Sequence, residues 1–507
     1  MATLTLEKPG ATRVGHARWL VCLLLFVAAT VNYVDRNSLS VLKTTLQQAL
    51  GWNDADYGWV TFGFTAAYAL VPVLAGRMVD RLGVKRALAL GVTLWSLACI
   101  GHGLVRTVLA FAVMRFLLGS AESVNFPAAV KAIGQWFPQK ERTFATGLFN
   151  SGTNVGVMLS FGVVWLATLF GWPWAFIATG AIGLLWLGLW GAFYTSPDDS
   201  RRLGAAELRY IRADQPPPGE REQVHWIRLL RCREVWPYLL AKFLTDPVWW
   251  FYLFWLPSYL ERERGLNPLN SALVLIIIYT GATVGSVSGG WLSGWLMGRG
   301  WRVGPARRMA MLIPAAFMPL AIAAYYTHSI ALCLALITLA TGLHQAWSAT
   351  VLTMPTDLFP DRVAGAVAGL GTTAGGIGGM FLTLLVGAVV QWLGRQQVVF
   401  IWAGLMHPLS WILVLLMLGR NWSVVRLDRP LDLSRPNRPL QVGGLAGTGL
   451  GLAAAALIAF NWSACVTAAH SASAAAAALT AAAGVTVIGF FVLFAGNGHK
   501  ALARRGA

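Results

Sequence analysis

The stretch 19-WLVCLLLFVAATVNYVDRNSLSV-41 decides what kind of protein this is. From Trp19 to Val34 it carries no charge, and then Asp35 and Arg36 stand side by side. A helix that crosses a bilayer needs about 20 mostly apolar residues. The run therefore reads as a membrane helix with a charge pair at its far end. Such charges are costly in hydrocarbon and mark functional positions. Lys8, Arg13 and Arg18 precede the run, as in a signal peptide. The run is too long for one and continues straight to Asp35, so it reads as an uncleaved first span.

Runs of this kind recur through all 507 residues, which are 56% hydrophobic and only 12% charged. A soluble domain carries about 25% charged residues, so this is an all-α polytopic membrane protein. The 24 Trp suit interfacial belts. Spans are expected near 17–41, 55–76, 86–105, 108–131, 142–168, 173–194, 236–260, 270–297, 307–327, 330–355, 363–392 and 397–419. Six precede and six follow a polar segment, 195–235, with eight Arg and the run Pro216, Pro217, Pro218. Alternating the loops puts 31 Lys/Arg on the side of the N-terminus and five on the other, with Arg36, Arg115 and Lys242 inside spans. This bias predicts a multi-pass protein with both termini cytoplasmic. It also accounts for the net charge of +18 without nucleic acid.

The expected organisation is a tail 1–16, a six-helix bundle 17–194, a cytoplasmic linker loop 195–235 and a second bundle 236–419. A basic linker 420–445, two extra Ala-rich helices within 446–496 and a cytoplasmic tail 497–507 follow. The extra helices read as a dispensable anchor. Five scattered Cys give neither a disulfide framework nor a metal spacing. No catalytic triad, metal cluster or nucleotide loop is visible, so no enzyme, metal or cofactor is expected. The glycines of 365-GAVAGLGTTAGGIGG-379 lack a following GK[ST] and suit close helix packing.

An internal repeat supports the six-plus-six division. The segments 137-FPQKERTFATG-147 and 359-FPDRVAGAVAG-369 match at an offset of 222, which lays Glu122 on His344. The loop 76-GRMVDRLGVKR-86 has its own logic. Gly76 and Gly83 permit close approach and a tight turn. Asp80 can accept bonds from a helix N-terminus or a base, and Arg81, Lys85 and Arg86 anchor orientation. In 115-RFLLGSAES-123, Arg115 and Glu122 fall on one face about 10 Å apart along the axis. With Asp35 and Arg36 they form a neutral set, either a packing network or a proton-handling site.

The loop resembles the signature of the major facilitator superfamily. The stretches 32-NYVDRNSLSV-41, 115-RFLLGSAES-123, 135-QWFPQKER-142, 245-TDPVWWFYLFWLPSYL-260 and 344-HQAWSATVLTMPTDLFP-360 resemble its anion:cation symporter family, and most its hexuronate transporter branch. The resemblance runs from about residue 17 to 419. It implies a fold of two six-helix bundles and a monomer that imports galacturonate or glucuronate with protons. Relatives in that family carry galactonate, other sugar acids, aromatic acids or glutamate, so another organic carboxylate stays open. So do an anion exchanger and a non-transporting sensor of sugar acids. The expected partners are a small organic anion, protons and membrane lipid.

The resemblance further implies that Asp35 and Glu122 are the protonatable acids. By the same likeness Arg36 binds carboxylate, Arg115 partners the acid of the fourth span, and Tyr68 touches substrate. Pairs Asp35–Arg36 and Glu122–Arg115 are expected to loosen on protonation. An Arg suits a planar carboxylate because its fork donates two parallel bonds. Tyr68 fits equally a core aromatic. Gln345 can bond hydroxyls, and Trp347 can offer an apolar face to a sugar. His344 fits a site or a packing role, and Trp249 and Trp250 a cavity wall or an interfacial belt. Asn150 and Asn154, four apart, are expected to face the cavity together. Asp246 with Pro247 is expected to break the seventh span.

Overall fold

The computed structural model describes residues 15–215, 229–230, 232–254, 256, 259–260, 264–265, 268–393, 397–418, 422 and 424–425. Among them there is no strand. The first half comprises α1 (Ala17–Val41), α2 (Lys43–Leu50), α3 (Asp54–Leu70), α4 (Pro72–Leu104), α5 (Val108–Glu122), α6 (Asn125–Trp136), α7 (Gln139–Leu159), α8 (Phe161–Phe170) and α9 (Trp172–Phe193). A short helix α10 (Ala205–Arg212) follows. The second half comprises α11 (Val235–Phe254), α12 (Pro268–Gly298), α13 (Val303–Phe317), α14 (Ala323–Tyr326), α15 (Ile330–Val351), α16 (Met354–Leu358), α17 (Asp361–Leu393) and α18 (Gln397–Leu418). The expected helices in 446–496, the tail 497–507, and most of 1–16 and 420–445 lie outside the described residues.

Among the described residues, ten helical runs are long and apolar enough to cross a membrane. Two expected spans fall short of that measure for local reasons. The second is cut at Val71–Pro72, so α3 holds 17 residues and the rest joins α4. The seventh, α11, carries Lys242 and Asp246. Side chains such as Leu104, Leu109, Phe170 and Leu185 stand exposed on the outside, where hydrocarbon replaces water.

Several boundaries differ from the sequence reading. The second span stays helical to Leu82, and the chain reverses at Gly83, whose φ of 78° is open to a residue without Cβ. The expected loop 77–86 is therefore mostly helix. The fourth span breaks at Ser123–Val124 and resumes as α6, with Pro127 in its first turn, where a missing N–H is tolerated. The fifth starts at Gln139, directly after Pro138, and breaks at Ser160. The segment 195–235 is no mere solvated loop. Its helix α10 buries Glu207 and Ile211, and Glu207 accepts bonds from the N–H groups of Ala17 and Arg18 at the start of α1, each at 3.3 Å.

Within each half the helices pack mainly on one another, and the halves meet along two main seams. One sets α7 against α12, the other α4 against α17. Small residues set these distances. A Cβ on Gly147 would strike the backbone of Ser286, and one on Gly76 the backbone of Gly365. Inside the second half, Gly285 of α12 lies against the Gly342 backbone of α15. Helices in lipid associate through such close contact, since lipid tails give no hydrophobic drive between them.

Gly285→Val should force α12 from α15 and cost about 1–3 kcal/mol, seen as a lower melting temperature in detergent. Gly188→Val is the control, because nothing lies within 4 Å of its Cβ position. Equal melting of both variants would remove the packing role given to Gly285.

Candidate functional site

Arg36 is the hub of the first half. Its Nε donates to Glu122 Oε2 at 3.1 Å, and its Nη2 lies 3.0 Å from the same oxygen. Nη2 also donates to the Tyr68 hydroxyl at 2.8 Å and to Asn32 Oδ1 at 3.1 Å. The guanidinium lies 4.4 Å from the ring centres of both Tyr33 and Tyr68, a cation–π arrangement. Glu122 is the last residue of α5, where the helix breaks, so its carboxylate reaches across to α1. Its second oxygen is buried without a partner among the described residues.

The expected pairing differs here. Asp35 does not pair with Arg36, because neighbouring residues on a helix point about 100° apart. Asp35 turns the other way, accepts a long 3.5 Å contact from Cys99 Sγ, and has no ion pair among the described residues. Arg115 does not pair with Glu122 either. Seven residues along one helix leave them two turns apart, and Arg115 Nη2 donates to the backbone carbonyl of Arg36 at 3.0 Å. Asp35, Arg115 and Glu122 lie behind the cavity wall rather than on it.

The cavity lies between the halves and is lined by Arg36, Tyr33 and Tyr68 from one and by Lys242, Asp246, Trp249, Trp250, His344 and Gln345 from the other, among others. Its volume is about 60 Å³. Drug-sized ligands occupy pockets of roughly 300–1,000 Å³, so a sugar-sized ligand enters only if the walls part. Asn150 also lines it and donates to Gln345 Oε1 across the halves. Asn154 is buried behind Gln345, accepting from its Nε2 at 3.2 Å, so the two Asn do not share the cavity. Trp347 also lies off the cavity. On α15 the lining residues His344, Gln345 and Ser348 span one arc, and at about 100° per residue Trp347 falls outside it. Its indole donates to Thr245 Oγ1 at 3.1 Å. His344 stacks on Trp249 at 5.5 Å and shares a 3.1 Å bond with buried His407.

One end of the molecule is tied shut between the halves. Asp80 Oδ2 accepts from the Ala366 N–H at 2.7 Å, and Oδ1 from Gly365 N–H at 3.1 Å and Lys131 at 2.7 Å. Gly76 packs nearby and Gly83 makes the turn, while Arg81, Lys85 and Arg86 stay exposed. A second tie centres on Asp357. Arg307 Nε donates to it at 2.8 Å and Arg307 Nη2 crosses to the Gln139 carbonyl at 2.8 Å. Arg142 crosses the other way to Asp357 at 3.5 Å and to the Thr356 carbonyl at 3.0 Å. Sequence reasoning missed Lys242 as a cavity residue, although an Asp four residues later on an apolar helix was a legible signal. Asp357 with its two Arg had none, since the three are distant in the chain.

The chain matches the family model of the Major Facilitator Superfamily over residues 25–383. It is 29% identical to the D-galactonate transporter of Escherichia coli O6:H1, over 80% of this chain and 97% of that protein. It is 32% identical to the galacturonate transporter of Dickeya chrysanthemi, over 54% of this chain and 81% of that one. The solved structure of the proton:xylose symporter XylE with 6-bromo-6-deoxy-D-glucose superposes with a TM-score of 0.62, at 16% identity, over 78% of this chain and 94% of that one. The last likeness shows the fold, and the first two agree with the hexuronate branch of the anion:cation symporters.

Removing one partner of a buried ion pair costs roughly 3–5 kcal/mol. Asp357→Asn should therefore loosen the tied end. Spin labels at the exposed positions Leu82 and Arg302 should then show a longer distance between the halves than in the parent. An unchanged distribution would mean that Asp357 does not hold this end closed.

Proposed function

The chain belongs to the Major Facilitator Superfamily, and on that premise we propose that it is a proton-coupled symporter that imports a sugar acid, a hexuronate first, by alternating access. In this reading it is a monomer of the bacterial inner membrane with both termini cytoplasmic. The observation that carries it is the Arg36–Glu122 pair, with Arg36 on the wall of a cavity between the halves and Glu122 behind it. A guanidinium that a single carboxylate neutralises is a site where a proton and an organic anion help each other. A proton on Glu122 removes the negative partner of Arg36. The freed fork then takes the substrate carboxylate by two parallel charge-assisted bonds. Proton and substrate thus favour each other's binding, which is the thermodynamic content of coupling.

The other groups have supporting parts. Asp35 is the second protonatable acid, on the opposite side of α1 from the cavity. Tyr68 and Asn32 hold Arg36 in place while its partner changes. Asn150, Gln345 and Ser348 offer donors and acceptors to sugar hydroxyls. Trp249 and Trp250 offer apolar faces to the ring. Release follows when the ties at Asp80 and Asp357 break and the halves rock about the site.

In proteoliposomes, labelled galacturonate should accumulate when a proton gradient is imposed. Glu122→Gln should lose that accumulation by roughly 5- to 150-fold, the span of ordinary coupling energies, while keeping exchange of substrate for substrate. Asp35→Asn should behave alike. Undiminished gradient-driven accumulation in Glu122→Gln would falsify the coupling role.

A further inference from the structure

Two histidines meet beside the cavity in the second half. His344 of α15 lines it, and His407 of α18 lies behind, fully buried. Their ring nitrogens, His344 Nδ1 and His407 Nε2, share a bond of 3.1 Å. One ring must donate and the other accept. Neither ring has a carboxylate partner among the described residues, and the acid on this wall, Asp246, pairs with Lys242 at 2.6 Å. A buried imidazolium without a carboxylate is costly, so both rings are neutral. The other nitrogen of His407, Nδ1, is buried with no partner among the described residues. As with backbone groups, an orphaned buried N–H is rarer than an under-used acceptor. His407 therefore carries its proton on Nε2 and donates it to His344 Nδ1. The proton of His344 then stands on Nε2, the nitrogen turned away from His407.

We propose that His407 is a positioning residue of the substrate site. It fixes His344 in the tautomer that offers an N–H to the cavity, and His344 gives that N–H to a hydroxyl oxygen of the sugar acid. This deepens the symport reading and rests on it for the identity of the substrate. Both rings are held in place. Trp249 stacks on His344 at 5.5 Å with the planes 11° apart, which fixes the plane of the ring. Trp347 meets His407 edge to face at 5.5 Å, which gives this Trp a part although it lies off the cavity. The neighbouring amides are more committed. Gln345 accepts from Asn150 and donates to Asn154, and Asn150 donates also to Ser286. His344 Nε2 has no hydrogen bond among the described residues, so it meets a substrate oxygen without giving up a bond inside the protein. A neutral donor suits a hydroxyl, which brings no charge to balance, and leaves the carboxylate to Arg36.

The test uses the full-length protein in lipid bilayers with isotope-labelled histidine. Solid-state NMR of the ring nitrogens tells N–H from bare nitrogen, and either His344→Gln or His407→Gln assigns the pair. His344 should carry its proton on Nε2, with Nδ1 bare. A proton on His344 Nδ1 overturns the proposal. Binding of galacturonate and of galactonate is read in parallel from tryptophan fluorescence, since Trp249 and Trp250 line the cavity. His407→Phe keeps a ring beside Trp347 and removes the donor. It should weaken binding by roughly five- to tenfold, the worth of one neutral hydrogen bond. His407→Gln, which restores an amide donor, should return binding to within about twofold of the parent. In a His344→Phe background, His407→Phe should add no further loss, because both changes remove the same N–H. A merely structural His407 would cost binding in that background too and would not be rescued by Gln, and either result overturns the positioning role. So does parent-like affinity in His407→Phe. Uptake under an imposed proton gradient is followed in the same preparations. The expected tautomer and affinities without gradient-driven uptake uphold this site and sink the symport reading. Gradient-driven uptake of galacturonate with the proton on His344 Nδ1 does the reverse. Binding of neither acid by the parent overturns both.

Discussion

A guanidinium buried in a membrane protein is costly without a partner, and Arg36 meets that cost with a carboxylate oxygen of Glu122. Much of the first half is arranged around this contact. The break at Ser123 ends α5 where Glu122 can face α1. Tyr33 and Tyr68 place aromatic faces on the cation, and Arg115 ties the backbone of Arg36 to α5 from another side. None of these neighbours is a second anion. Whatever changes the charge of Glu122 therefore changes what Arg36 must bind next.

The same electrostatic rule closes one end of the molecule by a different layout. Asp357 serves two guanidinium groups, and Asp80 accepts backbone N–H groups as well as Lys131. These acids are held by several donors, so the loss of one bond leaves others in place. They also bridge the halves, whereas Arg36–Glu122 and Lys242–Asp246 each lie within one half. A partner exchange inside the cavity does not by itself pull the halves apart. At the level of the cavity the halves are bridged among the described residues by the Asn150–Gln345–Asn154 bonds and by Asn150 and Gly147 with Ser286.

Much of this was legible in the chain. Apolar runs of span length placed the helices, and the charged residues inside them pointed to Arg36 and Glu122. The glycines and Asp80 of 76-GRMVDRLGVKR-86 announced a turn and an acceptor, although the helix extends further into that stretch than composition suggests. Partner identity was not legible. Adjacency made Asp35 and Arg36 look like a pair, yet a helix sends adjacent side chains in different directions. Trp347 shared a motif with His344 and Gln345 but not their face. Asp357 gains its meaning only when α13 and α7 are brought to it, and no local pattern encodes that meeting. Lys242 and Asp246 are the opposite case, since their spacing alone predicts the contact.

The two cavity pairs also differ in what they can transmit. Arg36–Glu122 joins α1 to α5, so its strength depends on how those helices sit against each other. Lys242–Asp246 belongs to one helix, which runs on through Pro247 without the break expected there, so the pair does not depend on how neighbouring helices sit. Breaking the first pair removes a link between helices, and breaking the second frees a side chain and nothing more. A rearrangement that starts with charge at the cavity therefore has its mechanical outlet in the first half, through α1 and α5. The second half presents Lys242 to the cavity on a wall in which His344 is braced between Trp249 and His407.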